Sequence, residues 1–310
     1  MIKLENLTKY YGENLAVANI SFEIAPGQII GFLGPNGAGK STTMRMLTGY
    51  LMPTSGKASV LDYDIVENTL EVKQLIGYLP ETNPVYEEMT IPEYLRFVAE
   101  IRNYNPAQID TRIKEVVELC ALKDMLHKNI GELSRGYKQR VGFASAIFHD
   151  PKVLILDEPT SGLDPNQARE VRELIKELKK EKTVILSTHI LSEVTAICDR
   201  IIIINKGIIA ADGTPAELLA GSQGKENVYL EFMAANTSSA DLEMALKSID
   251  GIQEITLKNT NENVYSFEIV SAIDLRAEIF KTAVKNNWVL LEIRRQHATL
   301  EELFKQLTEK

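Results

Sequence analysis

The sequence predicts an α/β protein whose core is a buried parallel sheet, followed by a small α+β domain. Ile29–Leu33 is apolar at every position and runs directly into a glycine-rich loop and a helix over about 41–47. A strand without polar positions is typical of a parallel sheet that is covered on both faces. Strand and helix patterns alternate again over 153–186, which indicates that the same core resumes there.

The chain of 310 residues is long enough for one large domain and a smaller one. Thr90-Ile91-Pro92-Glu93 has the pattern of a capping box, and helical spacing follows it, so we interpret residues from about 82 to 150 as a mostly helical insertion. Gly221-Ser222-Gln223-Gly224 has the composition of a linker. We therefore expect a large domain over 1–220 and a small accessory domain over 225–310.

The accessory domain is predicted to have the element order β-α-β-β-α-β of ferredoxin-like folds. The strands are expected at 228–232, 252–257, 264–269 and 288–293, and the helices at 241–249 and 273–286. Thr299-Leu300-Glu301-Glu302 has the pattern of a helix start, which predicts one further helix at the end of the chain.

The composition disfavours several classes of protein. A formal net charge of -9 disfavours a nucleic-acid binder, because such proteins neutralise phosphates with lysine and arginine. The amino terminus lacks the layout of a signal peptide, and no run approaches the roughly 20 apolar residues that span a bilayer. Cys120 and Cys198 are interpreted as reduced core thiols. If the protein serves a membrane, we expect another chain to span it.

Residues 34–42, Gly-Pro-Asn-Gly-Ala-Gly-Lys-Ser-Thr, match the phosphate-binding P-loop pattern in full. Glycines let the backbone wrap around phosphates, so that backbone amides and the amino terminus of the helix face the anion. Lys40, expected on an exposed loop, would add a cation, and the Ser41 hydroxyl would bind Mg²⁺. The predicted contacts of ATP in this loop are Asn36, Gly37, Gly39, Lys40, Ser41 and Thr42. The alternative is a glycine-rich turn that happens to precede a helix.

Asp157 and Glu158 directly follow the apolar run Val153-Leu154-Ile155-Leu156. A carboxylate at the end of a buried strand can hold magnesium, which is the role predicted for Asp157. Glu158 would then lie beside the γ-phosphate and act as the base that activates water. By itself such a pair is more often a solvated turn, so this interpretation depends on the P-loop.

Leu133-Ser134-Arg135-Gly136-Tyr137-Lys138-Gln139-Arg140 could simply be a serine-capped, basic helix start. Together with the two preceding motifs, it resembles the signature of the ATP-binding cassette (ABC) family. Arg135 and Tyr137 depart from it, since many members have glycine and glutamine there. The resemblance implies a P-loop NTPase cassette with a RecA-like core, an antiparallel β-subdomain and a helical insertion. It also implies that Ser134 and Gly136 contact the γ-phosphate.

Three further positions agree with this family in order and spacing. Ser161-Gly162-Leu163-Asp164 resembles the D-loop, so Asp164 is added to the predicted nucleotide-binding residues. His189 resembles the switch histidine, and Tyr11 the aromatic that stacks on adenine. Each has an ordinary alternative: Asp164 as a helix cap, His189 as a structural histidine, and Tyr11 as a core residue.

Glu81 stands where the family usually has a glutamine that binds magnesium and the attacking water. A carboxylate can still bind the metal, but it adds negative charge near the triphosphate, which bears on the rate of turnover. By resemblance, the metal ligands are Ser41, Asp157 and Glu81, and the catalytic residues are Glu158, His189 and Glu81. The segment 79–86 and the end of the chain are similar to the ATPases of gliding-motility and multidrug-type exporters.

The resemblance implies an ATPase that binds ATP and Mg²⁺ and drives an exporter by closing as a homodimer or as a paired cassette. Its further partner would be a polytopic membrane permease, which would hold it on the cytoplasmic face of the membrane. No nucleic-acid partner is expected. One alternative is a soluble ABC ATPase that acts on ribosomes or nucleic acids, although those usually carry two cassettes. Another is a P-loop kinase or GTPase, in which the signature and His189 would have no role.

Overall fold

The computed structural model describes residues 1–221, 226–234, 237–261, 263–296 and 299–308. The chain forms two compact units, Met1–Pro215 and Ala216–Glu309. Residues 222–224 of the predicted linker lie outside the described residues, and its first residue, Gly221, is the last residue of a helix. The division into domains over 1–220 and 225–310 that fold independently stays a prediction.

Fourteen strands are present in the described residues. They are β1 Ile2–Tyr11, β2 Asn14–Ile24, β3 Ile29–Leu33, β4 Ser55–Val60, β5 Tyr63–Asp64, β6 Ile76–Leu79, β7 Val153–Asp157, β8 Thr183–Thr188, β9 Arg200–Asn205, β10 Ile208–Gly213, β11 Glu226–Met233, β12 Ile252–Asn261, β13 Val264–Ser271 and β14 Val289–Gln296.

The same residues contain eleven α-helices. They are α1 Lys40–Leu47, α2 Thr69–Leu75, α3 Ile91–Ile101, α4 Ile109–Leu119, α5 Arg135–Ile147, α6 Pro165–Leu178, α7 Leu191–Ile197, α8 Pro215–Gly221, α9 Ser239–Lys247, α10 Arg276–Lys285 and α11 Leu300–Thr308.

The first unit is built on a six-stranded sheet in the order β10-β9-β3-β8-β7-β6, in which only the β9–β10 pair is antiparallel. Strands β3, β7 and β8 are buried at every residue. The apolar runs over 29–33 and 153–156 predict this for β3 and β7. Because these strands are parallel, their carboxyl ends meet at one edge of the sheet. The P-loop follows β3, Glu158 follows β7 and His189 follows β8 at that edge.

An antiparallel sheet in the order β2-β1-β4-β5 shares a hydrophobic core with one face of the central sheet. Phe22 of this sheet and Phe32 of β3 have ring centroids 5.9 Å apart. Helix α1 contributes Met44 and Leu47 to the same core. The predicted antiparallel β-subdomain is thereby confirmed, and its packing holds α1 behind the P-loop.

The segment between β6 and β7 contains helices α3, α4 and α5, as the helical spacing over 82–150 predicts. The predicted capping box is confirmed, because Thr90 and Glu93 satisfy each other's backbone groups at the start of α3. Ser134 caps α5 with its side-chain oxygen, which accepts from the Tyr137 amide. This local chemistry sets where each helix begins.

The second unit is a four-stranded antiparallel sheet in the order β12-β13-β11-β14 with helices α9 and α10. The predicted β-α-β-β-α-β order is confirmed. Its own core includes Phe232, Phe267 and Ile279. Thr299 and Glu302 form the predicted helix start, since each accepts a backbone N–H of the other.

Both cysteines are free and buried, as predicted. Burial raises the pKa of the Cys120 thiol to about 12 and also raises that of Cys198. Thiolates are the reactive form of cysteine, so these side chains act as apolar core groups. Among the helices of the described ranges, none combines the length and apolarity needed to cross a membrane.

Candidate functional site

The P-loop connects β3 to α1 through a backbone that requires glycine at Gly39. This residue has φ of 106°, in the left-handed region, and a Cβ here would lie 2.6 Å from the carbonyl oxygen of Ala16. A side chain at this position would therefore be strained and would also collide with β2. The resulting tight loop leaves its amides and the amino terminus of α1 available to an anion.

Lys40 is buried rather than exposed, in contrast to the expectation for a loop lysine, with a residue exposure of 5%. Its ammonium group donates to the carbonyl oxygens of Gly34 at 2.8 Å and Pro35 at 3.2 Å. It also lies 3.6 Å from a carboxylate oxygen of Glu158. The reason for this burial is that the loop wraps around its own lysine, which places the cation between the phosphate loop and Glu158.

Asp157 ends β7 and is 1% exposed. Its carboxylate accepts from the Ser41 hydroxyl at 3.1 Å and from the hydroxyl of Ser187 on β8. A serine hydroxyl and a carboxylate at one point are oxygen ligands of the kind that Mg²⁺ prefers, and this ion is usually held by one or two carboxylates plus substrate phosphates. No cluster of three or more histidine, cysteine or acidic side chains within the described ranges can hold a metal by itself. The residues present thus fit a magnesium ion that is shared with a nucleotide.

Glu158 has φ of 50°, which places a non-glycine residue in the left-handed region. Such strain persists where surrounding contacts enforce it, and it is common at active sites. Here the Glu158 amide donates to the carbonyl oxygen of Ser187 at 3.0 Å, two residues before His189. The Nδ1 atom of His189 lies 3.0 Å from Oε2 of Glu158 and 3.1 Å from Oε1.

These groups line one cavity of about 440 Å³ at the carboxyl edge of the sheet. Its walls include all six predicted P-loop contacts together with Glu81, Glu158 and His189. Asp157 lies behind Ser41 rather than on the wall. Ala16 and Ser161 also line the cavity. No motif marks Ala16, whereas Ser161 reaches the site because its amide turns back to the Glu158 carbonyl oxygen at 3.1 Å.

Tyr11 lies outside this set of lining residues. It ends β1, pairs with Asn14 of β2 and is 47% exposed, so it is not a core residue. Lys9 extends its ammonium group to 5.6 Å from the centre of the Tyr11 ring. The role of Tyr11 in stacking on adenine stays a prediction.

Ser134, Gly136 and Asp164 also lie outside the cavity. Ser134 and Asp164 are exposed and form a second surface, whereas Gly136 is buried. Gly136 faces α6 closely, because a Cβ on it would lie 2.6 Å from the side chain of Gln167. Asp164 caps α6 by accepting from the Gln167 amide at 3.0 Å, as its alternative interpretation predicts. The Arg135 guanidinium lies against Gly162. The signature and the D-loop are therefore neighbours in this chain, and the contacts of Ser134, Gly136 and Asp164 with ATP stay a prediction.

The sequence was compared with known protein families and proteins. Residues 17–161 match the family described as ABC transporter. The chain is 38% identical to the uncharacterized ABC transporter ATP-binding protein YxlF of Bacillus subtilis, over 88% of each chain. It is 33% identical to the linearmycin resistance ATP-binding protein LnrL of Bacillus subtilis, over 99% of this chain and 98% of that one. It is also 33% identical to the bacitracin transport ATP-binding protein BcrA of Bacillus licheniformis, over 99% and 97%.

Solved structures agree with this result. One, described as the ATP-binding subunit of an ABC transporter, aligns with a TM-score of 0.66 and 28% identity, covering 80% of this chain and all of that one. The dimeric cassette MJ0796 aligns with a TM-score of 0.63 and 26% identity, covering 69% and 98%. The predicted fold and the resemblance are confirmed. The chain belongs to the ABC transporter family, as one of its ATP-binding and ATP-hydrolysing subunits.

Proposed function

We propose that this chain powers an ABC exporter, that it works as a face-to-face pair of cassettes, and that Glu158 is the base that activates water. The observation that carries the assignment of the base is the grouping of Lys40, Glu158 and His189 in one cavity of P-loop residues. This grouping joins a phosphate-binding loop to a carboxylate held in a strained, buried position.

ATP would bind with its phosphates along the P-loop. The amides of Gly37 and Gly39 and the start of α1 provide hydrogen-bond donors and the positive end of a helix dipole. Lys40 would exchange its two carbonyl partners for phosphate oxygens. Mg²⁺ would be held by Ser41 and Asp157, with Glu81 in the same cavity, and it would neutralise charge that develops on the phosphates.

Hydrolysis needs a base that faces the γ-phosphate. An ionised carboxylate only accepts hydrogen bonds, so His189 donates Nδ1–H to Glu158 and orients that side chain. Glu158 would then take a proton from water as the water attacks the γ-phosphorus, and the bond from this phosphorus to the bridging oxygen would break, so that the oxygen leaves with ADP. Glu81 is a second carboxylate in the same cavity, but it is exposed and follows Pro80 in a loop. The rigid end of β7 makes Glu158 the better-positioned base.

The second surface supports the pairing of two cassettes. Ser134 is exposed at the amino terminus of α5, so its hydroxyl and the first amides of this helix are available to an anion. In the dimer, Ser134 and Gly136 of one subunit would close over ATP bound by the other, beside Asp164. MJ0796 is a dimer in its structure, and a second MJ0796 structure is described as a dimeric post-hydrolysis state with ADP and Pi.

The names of LnrL and BcrA connect those relatives with resistance and with bacitracin transport, and they match this chain over nearly its full length. A polytopic permease would then receive the motion of the helical segment α3–α5 and hold the cassettes on the cytoplasmic face of the membrane. The second unit would act as an accessory domain.

Reconstitution tests this proposal. The first step asks whether the neighbouring reading frame encodes a polytopic membrane protein. If it does, the chain is co-expressed with that protein, purified as a complex and placed in liposomes. We expect ATP hydrolysis that depends on Mg²⁺, is stimulated by the membrane protein and is lost in Glu158→Gln. A rate of ATP hydrolysis that does not change with the membrane protein, together with sedimentation of the chain with ribosomes, would favour the soluble alternative.

A further inference from the structure

Glu193 is a carboxylate in the first turn of α7 that no motif marks. Its residue exposure is 7%, although glutamate is rarely buried without partners. Oε1 accepts from the Thr160 hydroxyl, and Oε2 accepts from the Thr188 hydroxyl at 2.9 Å. Each oxygen thus has a donor, which offsets part of the cost of burying the group.

The two threonines belong to the two segments that carry the reacting groups. Thr160 lies in the turn that Glu158 begins, since the Ser161 amide donates to the Glu158 carbonyl oxygen. Thr188 ends β8 and directly precedes His189. Its hydroxyl also accepts from the Ile190 amide at 3.1 Å, which fixes the backbone on the far side of the histidine. Glu193 therefore joins the Glu158 turn to the His189 segment.

Helix α5, which begins within the signature segment, is hydrogen-bonded to the same turn. Gln139, on the buried side of α5, donates from Nε2 to the carbonyl oxygen of Pro159 at 3.0 Å. Pro159 lies between Glu158 and Thr160. A displacement of α5 would consequently reach the turn that Glu193 holds, and buried hydrogen bonds resist such displacement because breaking one leaves polar groups unsatisfied.

Apolar side chains could fill the space between the Thr160 turn and the end of β8. The Glu193 carboxylate differs from them because it accepts hydrogen bonds from two hydroxyl groups at once, which sets the distance between Thr160 and Thr188. The 3.0 Å contact between His189 and Glu158 lies between the same two segments, so we expect it to depend on this distance.

We propose that Glu193 is a positioning residue for ATP hydrolysis, which holds the Thr160 turn and the Thr188 segment together so that His189 orients Glu158. This proposal rests on the proposed function, because it assumes that Glu158 and His189 act in hydrolysis. Glu193 itself does not line the cavity, so it acts through Thr160 and Thr188.

The experiment compares ATP hydrolysis in the full chain with Glu193→Ala, Thr160→Val and Thr160→Ser. Thr160→Val keeps the shape of the side chain and removes the hydroxyl that donates to Glu193. We expect kcat to fall on the order of 10²-fold in Glu193→Ala, since small misplacements of catalytic groups cost that much. KM for ATP is expected to change by less than about threefold, because the P-loop contacts remain. Thr160→Ser restores the hydroxyl and should recover most of kcat.

Val194→Ala is the matched control for stability. Val194 is buried in the same short helix and packs near Gly31, but it has no polar partner. We expect it to lower the melting temperature while kcat is retained. If Val194→Ala lowered kcat as much as Glu193→Ala did, the effect would reflect general loosening of α7, and the proposal would be overturned.

Variants in the His189→Ala background separate positioning from an independent role. If Glu193 acts through His189, adding Glu193→Ala to His189→Ala changes kcat by less than about threefold, whereas independent effects multiply. Multiplying effects would contradict the proposal. Glu193→Ala with full kcat would also contradict it and leave the proposed function intact, provided that Glu158→Gln is inactive. An inactive wild-type chain would refute the proposed function and this inference with it.

Discussion

His189 Nδ1 lies 3.0 Å from Oε2 of Glu158, and these residues follow neighbouring parallel strands. Strand β7 carries Glu158 one residue beyond Asp157, and β8 carries His189 one residue beyond Thr188. The contact is therefore a consequence of the pairing of Asp157 with Ser187 in the sheet. Predictions about hydrolysis depend on how rigidly this edge is held.

Replacing Glu158 by glutamine tests the base. The amide has the same shape but does not accept a proton, so kcat is expected to fall about 10²–10⁴-fold with ATP binding retained. ATP should then remain in a stable dimer, which light scattering would detect. Glu81→Gln is the comparison, and it is expected to be milder because Glu81 lies in an exposed loop. Near wild-type activity in Glu158→Gln, lost only in the double variant, would assign the base to Glu81.

Lys40→Ala is expected to weaken ATP binding by about 10- to 100-fold, because hydrogen bonds to charged groups contribute about 1.5–3 kcal/mol each. It should also lower stability, since Glu158 would lose its nearest cation in a buried site. Calorimetry measures the binding, and thermal melting checks the fold. Lys57→Ala, at an exposed position on β4, is the control that should change neither. Normal ATP affinity in folded Lys40→Ala would rule out its role on the phosphates.

Ser134→Arg is expected to spare ATP binding by the monomer and to prevent the ATP-driven dimer. It also removes the cap of α5, a loss of about 1 kcal/mol in helix stability. Ser134→Gly separates the two effects, since glycine costs only a few tenths of a kcal/mol at this position and adds no bulk. Sedimentation of both variants with ATP, in the Glu158→Gln background, measures the dimer. An intact dimer in Ser134→Arg would contradict a site completed by the partner's signature.

A chain that ends at about residue 224 is expected to fold and bind ATP. Within the described residues, the cluster that contains Phe32 and Met44 extends to Ile209, whereas the cluster that contains Phe267 begins at Val228. Thermal melting and ATP titration of the truncated chain provide the measurement. Loss of cooperative unfolding would show that the second unit is part of the cassette core.

The buried side chain of His149 is expected to make the protein less stable at acidic pH. Burial, with a smaller effect from the positive charge of Arg102, lowers its pKa to about 4. Nε2–H donates to the Ile76 carbonyl oxygen at 3.1 Å, and Nδ1 has no partner among the described residues. The unfolded chain takes up the proton near pH 6.5, so stability is full above that pH and falls as the pH drops towards about 4, by at most roughly 3 kcal/mol.

The check is thermal melting of the wild type and His149→Gln between about pH 7 and about pH 4.5. Glutamine retains a donor for Ile76 and does not titrate in this range. We expect the wild type to lose more of its melting temperature than the variant as the pH falls. Parallel losses would show that His149 is already protonated or exposed in the native state.

The local signals in the sequence were sufficient for much of the fold. Thr90 and Ser134 start their helices through side-chain caps, and such caps depend on residues only three positions apart. Strand β3 and residues 153–156 of β7 are recognisable because they form apolar runs, which are typical of strands buried on both faces. The P-loop and its chemistry follow from nine adjacent residues. For these features, sequence neighbours are also the physical partners.

Tertiary structure alone decided the arrangement of the site. Ser41 reaches Asp157 across 116 positions in the chain, and Lys40 lies 3.6 Å from Glu158, which follows another strand. The position of Glu193 between Thr160 and Thr188 has no sequence signal either, because a glutamate on a short helix is usually solvated. Such contacts arise where strands that are distant in the chain end at one edge of a sheet, and that register is set by the packing of the whole core.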